Sequence, residues 1–252
     1  VVTPQEGPAA TRHADLSVSP AQGAAPGAED AEELRVEHGP GGGRRAVMDV
    51  DRARNWWEGF AREVEERSEE LTELDRISGD GDFGTNLRSA VRKARARLEA
   101  GQPRTVGEVF TAVSLGFLDT GGTSGPLFGM FFREFAKACE GLPVVGSDVL
   151  ARGALEGVRT VQRLGGAQVG DKTAVDAMAP AAEALQRAVD AGAEVTAAMG
   201  AAYRAAADGA RSTTAMRARR GRASYVGEVA RGVVDPGALA VAWFYERGAT
   251  AA

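Results

Sequence analysis

The chain has 252 residues, enough for one large domain or two small ones, and its 44% hydrophobic content can bury a core. A formal net charge of −5 argues against a nucleic-acid binder, which carries a basic excess, and no apolar run reaches the length of a membrane span. The single cysteine, Cys139, leaves no disulfide framework and no cysteine metal site, which fits a reducing, cytoplasmic setting.

Residues 1 to about 47 are rich in Ala, Gly, Pro, Glu and Asp without apolar periodicity, and Gly39-Pro40-Gly41-Gly42-Gly43 closes the stretch. Such a segment cannot bury enough apolar surface to offset its ordering entropy. It also lacks the basic start and apolar core of a signal peptide. Residues 1–47 therefore read as a disordered or non-native extension, and 48–252 as the domain. Because Met48 immediately precedes the first periodic segment, the functional protein is expected to begin near it. The only histidines, His13 and His38, lie in the extension, so the domain has no histidine base, ligand or nucleophile.

From Asp49 the pattern is helical. Trp57, Phe60 and Val64 form a stripe that Leu71 and Leu74 continue after a charged stretch. The next helices are predicted through Leu87, Val91, Ala94 and Leu98, then from Thr105 to Leu118, with Thr105 and Glu108 spaced as a capping box. Further helices follow at 127–138, 148–164, 173–191 (kinked at Pro180), 194–219 and 238–247. This is roughly eight helices with no strand-like run. Short connections make neighbours antiparallel, so the expected fold is an all-α, eight-helix, up-and-down barrel or bundle. In such a fold alternate connections share one end. The glycine-containing loops at 79–84, 121–126, 165–173 and 220–237 are then expected at a single rim.

The first of these loops carries Asp80 and Asp82 with Gly79, Gly81 and Gly84, and Asp75 lies just before it. Its formal G-x-G-x-x-G match fails as a dinucleotide fingerprint. A helix precedes it rather than a strand, and carboxylates stand where phosphates would lie. Oxygen ligands on a glycine-rich loop suit Mg²⁺ bridged to phosphates. Thr123-Ser124-Gly125-Pro126 puts hydroxyls and free N–H donors at a helix start, which suits an anion and equally an ordinary cap. Gly170-Asp171-Lys172-Thr173 departs from a P-loop by the inserted Asp171 and the missing strand. Lys172 near a phosphate and Asp171 as a plain helix cap both remain open. Arg222 can fork onto phosphate oxygens, while Asp235-Pro236-Gly237 is also a plain turn signal.

Taken together, Leu74-Asp75-Arg76 through Asp82, Gly121 to Leu127, Gly170 to Thr173, Gly221-Arg222-Ala223-Ser224-Tyr225 and Asp235-Pro236-Gly237-Ala238 resemble the DhaL family. That family is the nucleotide-binding subunit or domain of dihydroxyacetone kinases. The resemblance runs from about Met48 to the C-terminus. It implies an eight-helix barrel with ADP or ATP at one rim. It further implies two Mg²⁺ ions on Asp75, Asp80 and Asp82, and nucleotide contacts at Phe83, Gly84, Thr85, Asn86, Thr123, Ser124, Gly170, Lys172, Arg222, Asp235, Pro236 and Gly237. It implies a separate DhaK-like subunit that holds the small ketose, with a phosphotransferase-system subunit as a further partner. The donor is then either free ATP or a phosphoprotein that recharges bound ADP. Two positions depart from the family pattern. Phe83 stands where a histidine is usual, and Gly227-Glu228-Val229-Ala230 stands where Gly-Glu-Arg-Ser is common, with Arg231 displaced. A kinase for another small acceptor, and a nucleotide-loaded regulatory module without catalysis, are the competing readings.

Overall fold

The computed structural model describes residues 47–252 except 221–223, 225 and 226. Helix α1 (Val50–Glu66) starts where Asp49 Oδ1 accepts the Arg52 N–H at 2.8 Å, and it buries Trp56, Trp57, Phe60 and Val64 on one face. At Arg67 (φ −114°, ψ 17°) the chain leaves helical geometry and restarts as α2 (Ser68–Ser78). The sequence predicts one stripe across this point, but the charged run around Arg67 is where it breaks. The Arg67 side chain spans the break. It pairs with Glu63 at 2.9 Å and Glu70 at 2.7 Å, and its guanidinium lies 4.3 Å over the Trp243 ring.

The remaining helices are α3 (Phe83–Gly101), α4 (Val106–Leu118), α5 (Ser124–Ala138), α6 (Ser147–Gly165), α7 (Val175–Asp190), α8 (Val195–Ser212) and α9 (Pro236–Ala251). The Thr105 cap forms as predicted: Thr105 Oγ1 accepts the Glu108 N–H at 3.1 Å. From α3 onward each helix packs on the next in sequence, and α9 returns to pack on α1. Helices α1 and α2 both lie against α3 and occupy one position in the ring. The all-α expectation therefore holds, with nine helices among the described residues where eight are predicted. One short pairing is added: β1 (Met48–Asp49) runs antiparallel to β2 (Val144–Val145), which seats Met48 in the core. No described helix is long and apolar enough to cross a membrane.

Aromatic side chains fill the ring. Helix α5 contributes Phe128, Phe131, Phe132 and Phe135, an i, i+3, i+4, i+7 face. Trp56 meets Phe110 and Phe135 edge-on at 5.4 and 6.2 Å. Its indole N–H donates to the Phe244 carbonyl at 2.6 Å and so fastens α9 to α1. Elsewhere the helices approach through missing side chains. Pro180 has no N–H for the Asp176 carbonyl, and that carbonyl occupies the place a Cβ would take at Gly209 on α8. Helix α8 stops at Ser212, short of the predicted 219, and a 3₁₀ turn over Thr213–Ala215 redirects the chain. Gly209→Ala is expected to force α7 and α8 apart and lower stability by about 1–3 kcal/mol in a denaturant melt. An unchanged midpoint would show that this approach carries no packing energy.

Candidate functional site

One cavity of about 670 Å³ is lined by residues from all four glycine-containing loops, including Asp80, Ser124, Lys172 and Asp235. The expected common rim is therefore present, and the geometry of each wall follows from its local chain.

The first wall is the α2–α3 connection. Asp75 lies in the last turn of α2 and folds back over Gly79, whose missing Cβ leaves room for Asp75 Oδ1. Asp75 Oδ2 accepts the Phe83 N–H at 3.0 Å, at the first residue of α3. Gly81 turns the chain at φ +77°, a conformation that costs glycine little. One oxygen from each of Asp75, Asp80 and Asp82 can be chosen so that all lie within 4.8 Å of one another. Three carboxylates so close repel, and a divalent cation relieves that repulsion. The donor set is all oxygen, with Asp80 and Asp82 exposed and Asp75 half-buried, so water and phosphate can complete the shell. It fits Mg²⁺.

The second wall is the start of α5. Thr123 and Ser124 both line the cavity, and no side chain caps this helix. Gly125 packs tightly under it, because a Cβ there would meet the Thr120 carbonyl at 2.7 Å. The N–H groups of the first turn and the positive end of the helix dipole therefore remain available to an anion.

The third wall joins the 165–176 loop to the 213–237 segment. Lys172 is only 1% exposed and adopts φ +62°. Its ammonium donates to the Thr213 carbonyl at 2.6 Å and to the Val233 carbonyl. Asp176, also buried, accepts N–H bonds from Gly170 and from Thr173, the latter at 2.7 Å. Asp171 does not cap α7. It accepts the Gln168 N–H at 2.9 Å and lies 3.7 Å from Arg220. Asp235 caps α9, with Oδ1 accepting the Ala238 N–H at 2.7 Å. Burial pushes the Asp235 carboxyl up to about 7, against the pull of the Ala238 N–H and of Lys172. Burial also lowers the Lys172 pKa, while Asp235 and Asp176 favour its charged form. Between the walls lie Leu127, Phe128, Val161, Ala167 and Met178, an apolar half beside the polar one.

Asp75, Asp80, Asp82, Phe83, Thr123, Ser124, Lys172, Asp235, Pro236 and Gly237 thus come together, whereas Gly84, Thr85, Asn86 and Gly170 do not line the cavity. Gly84 is buried where the Ser68 carbonyl and Thr72 hydroxyl take the place of a Cβ, so it serves the α2–α3 contact. Asn86 faces the backbone of Gly122, and Gly170 supplies an N–H to Asp176. Lys172 is held by carbonyls, and Arg222 lies outside the described residues. Sequence reasoning missed Asp176, Arg219 and Arg220. Thr173-Ala174-Val175-Asp176 matches the capping-box pattern and was the available signal for Asp176. Arg219 and Arg220 line the cavity because α8 ends early.

The DAK2 domain family matches residues 77–249. The chain belongs to this family. Among its relatives is the ADP-binding subunit DhaL of the PEP-dependent dihydroxyacetone kinase of Escherichia coli (strain K12), 37% identical over 73% of this chain and 89% of that protein. The L-erythrulose 1-kinase of Mycolicibacterium smegmatis is 33% identical over 84% of this chain and 37% of that protein. The dihydroxyacetone kinase from C. freundii, solved with AMP-PNP and Mg²⁺, superposes with a TM-score of 0.63 at 24% identity, over 93% of this chain and 38% of that one. The resemblance to DhaL read from the motifs is borne out. Of the two departures, Phe83 packs its ring 6.3 Å from Phe128, and Arg231 pairs with Glu228 at 3.0 Å outside the cavity lining.

The raised Asp235 carboxyl has a consequence for stability. From its ordinary value of 3.8 up to about 7 the folded protein holds a proton that the unfolded chain has released. Stability contributed by this group therefore falls as pH rises through that window and levels off above it. Relative to the wild type, Asp235→Asn is expected to gain stability progressively across the same window in denaturant melts. A pH-independent difference would show that Asp235 titrates normally.

Proposed function

We propose that the chain is the nucleotide-binding subunit of a small-ketose kinase. It would carry out Mg²⁺-dependent phosphoryl transfer from a bound adenine nucleotide to dihydroxyacetone or a similar ketose held by a separate DhaK-like subunit. The supporting observation is the convergence of three carboxylates and an uncapped helix N-terminus on one half-apolar cavity, in a chain of the DAK2-domain family. Asp75, Asp80 and Asp82 hold the metal, which supplies positive charge against the nucleotide phosphates. The α5 N-terminus with Thr123 and Ser124 receives phosphate oxygens. Asp235, Pro236 and Gly237 form the facing wall, Arg222 serves as a further phosphate contact, and Leu127, Val161 and Met178 take the base. Phe83 closes the metal loop onto the core.

Phosphoryl transfer of this kind needs positioning and charge rather than protein covalency. With histidine confined to His13 and His38, the group that accepts the acceptor's proton is expected on the partner. The domain proper is proposed as 48–252, working in the cytoplasm. The names of two relatives, both ADP-binding subunits, bear on the phosphoryl donor. The Escherichia coli relative is PEP-dependent, and that of Lactococcus lactis is PTS-dependent. A phosphotransferase component that recharges bound ADP is therefore proposed ahead of free ATP. The erythrulose kinase relative supports a four-carbon ketose as the alternative acceptor.

Combined Asp80→Asn and Asp82→Asn substitution is expected to abolish Mg²⁺-dependent ADP binding in calorimetry, with helical content unchanged by circular dichroism. Unchanged affinity in a folded variant would refute the metal assignment. Separately, product formation from dihydroxyacetone should require a DhaK-like partner, and turnover without one would overturn the subunit reading.

A further inference from the structure

Lys172 is out of place by every local rule. A lysine is seldom fully buried, and a residue with a Cβ seldom adopts φ +62°. Both costs are borne where three separate stretches of chain meet. The ammonium donates to the Thr213 carbonyl, just past the end of α8, and to the Val233 carbonyl, just before α9. An ammonium has three donors, so two are committed to backbone. Thr213 is itself fully buried, and its Oγ1 accepts the Asp235 N–H at 2.9 Å. Asp235 then caps α9 and precedes Pro236 and Gly237 in the cavity wall, where a Cβ on Gly237 would lie 3.2 Å from Ala174. On the other side, Asp176 gathers the N–H groups of Gly170 and Thr173 around the lysine's own turn.

We propose that Lys172 is a positioning residue, fastening the 213–235 segment to the 170–176 loop so that Asp235, Pro236 and Gly237 stand where a nucleotide meets them, and is not a phosphate ligand. The inference rests on the nucleotide reading of this cavity. Thr213 gives it a separate handle, because Thr213 belongs to the same junction and does not line the cavity. A lysine acting on phosphate would matter to ADP and not to adenosine, whereas a lysine acting through the junction matters to both alike, as Thr213 does through its bond to the Asp235 N–H.

The test compares wild type, Lys172→Met and Thr213→Val for binding of ADP, adenosine and Mn²⁺ by calorimetry, with Lys172→Arg as a charge-retaining control. Both Lys172→Met and Thr213→Val are expected to weaken ADP and adenosine by a common factor, about tenfold. Mn²⁺ affinity, set by the carboxylates of the α2–α3 connection, should stay within about twofold, far less than a lost carboxylate ligand would cost. Lys172→Arg should retain more affinity than Lys172→Met. Loss of ADP but not adenosine binding in Lys172→Met, with Thr213→Val silent, would make the lysine a phosphate ligand and overturn the proposal. So would wild-type affinities in both variants. If Lys172→Met does not fold, Lys172→Arg decides beside Thr213→Val: a shared loss of ADP and adenosine in both supports the junction, and any other pattern overturns it. A wild-type protein that binds neither ADP nor Mn²⁺ would instead defeat the nucleotide reading itself.

Discussion

Closing a ring of helices on itself is the constraint from which the site follows. Each helix can find its sequence neighbour through a short connection, but the last must find the first across nearly the whole domain. Trp56 makes that closure. Its ring meets Phe110 and Phe135 edge-on and Phe244 at a tilt, and its N–H satisfies the Phe244 carbonyl. Large aromatic rings meeting edge to face fill a ring of this width, and the hydrogen bond ties the two ends of the chain together. With the interior occupied by rings from α1, α4, α5 and α9, helix ends and loops are left to shape the open end.

That open end combines groups that would repel or remain unsatisfied elsewhere. Three carboxylates approach because Gly79 and Gly81 let the chain fold tightly and because Asp75 is anchored by the Phe83 N–H. Opposite them, a helix start is left without a side-chain cap. Each feature alone is a local cost. Facing one cavity, they are complementary: a carboxylate cluster suited to a cation and a helix start suited to an anion, which together fit a ligand that carries both a metal and phosphates.

The far wall obeys different physics. There Lys172, Asp176 and Thr213 are buried and satisfied within the protein, and the charge on Lys172 is balanced by two carbonyls and the nearby Asp176 and Asp235. A buried charge is tolerated only with such partners, and the arrangement is correspondingly rigid. One wall is thus poised to bind and the other to hold its shape.

Much of this was legible in the residues. Helical periodicity determined the all-α class, the Thr105 cap and the apolar face of α5, because those signals are local and repeat every few residues. Loop parity placed four motifs at one end, and the spacing of Asp75, Asp80 and Asp82 marked the loop where the three carboxylates cluster, since residue types on glycine-rich chain need no long-range information. Tertiary structure alone decided the rest. The break at Arg67, the early end of α8 at Ser212, the burial of Gly84 against α2 and the inward turn of Lys172 all depend on partners distant in sequence. Lysine on a glycine-rich loop reads the same whether its ammonium meets phosphate or carbonyl. Only the arrival of Thr213 and Val233, 41 and 61 residues away, distinguishes the two.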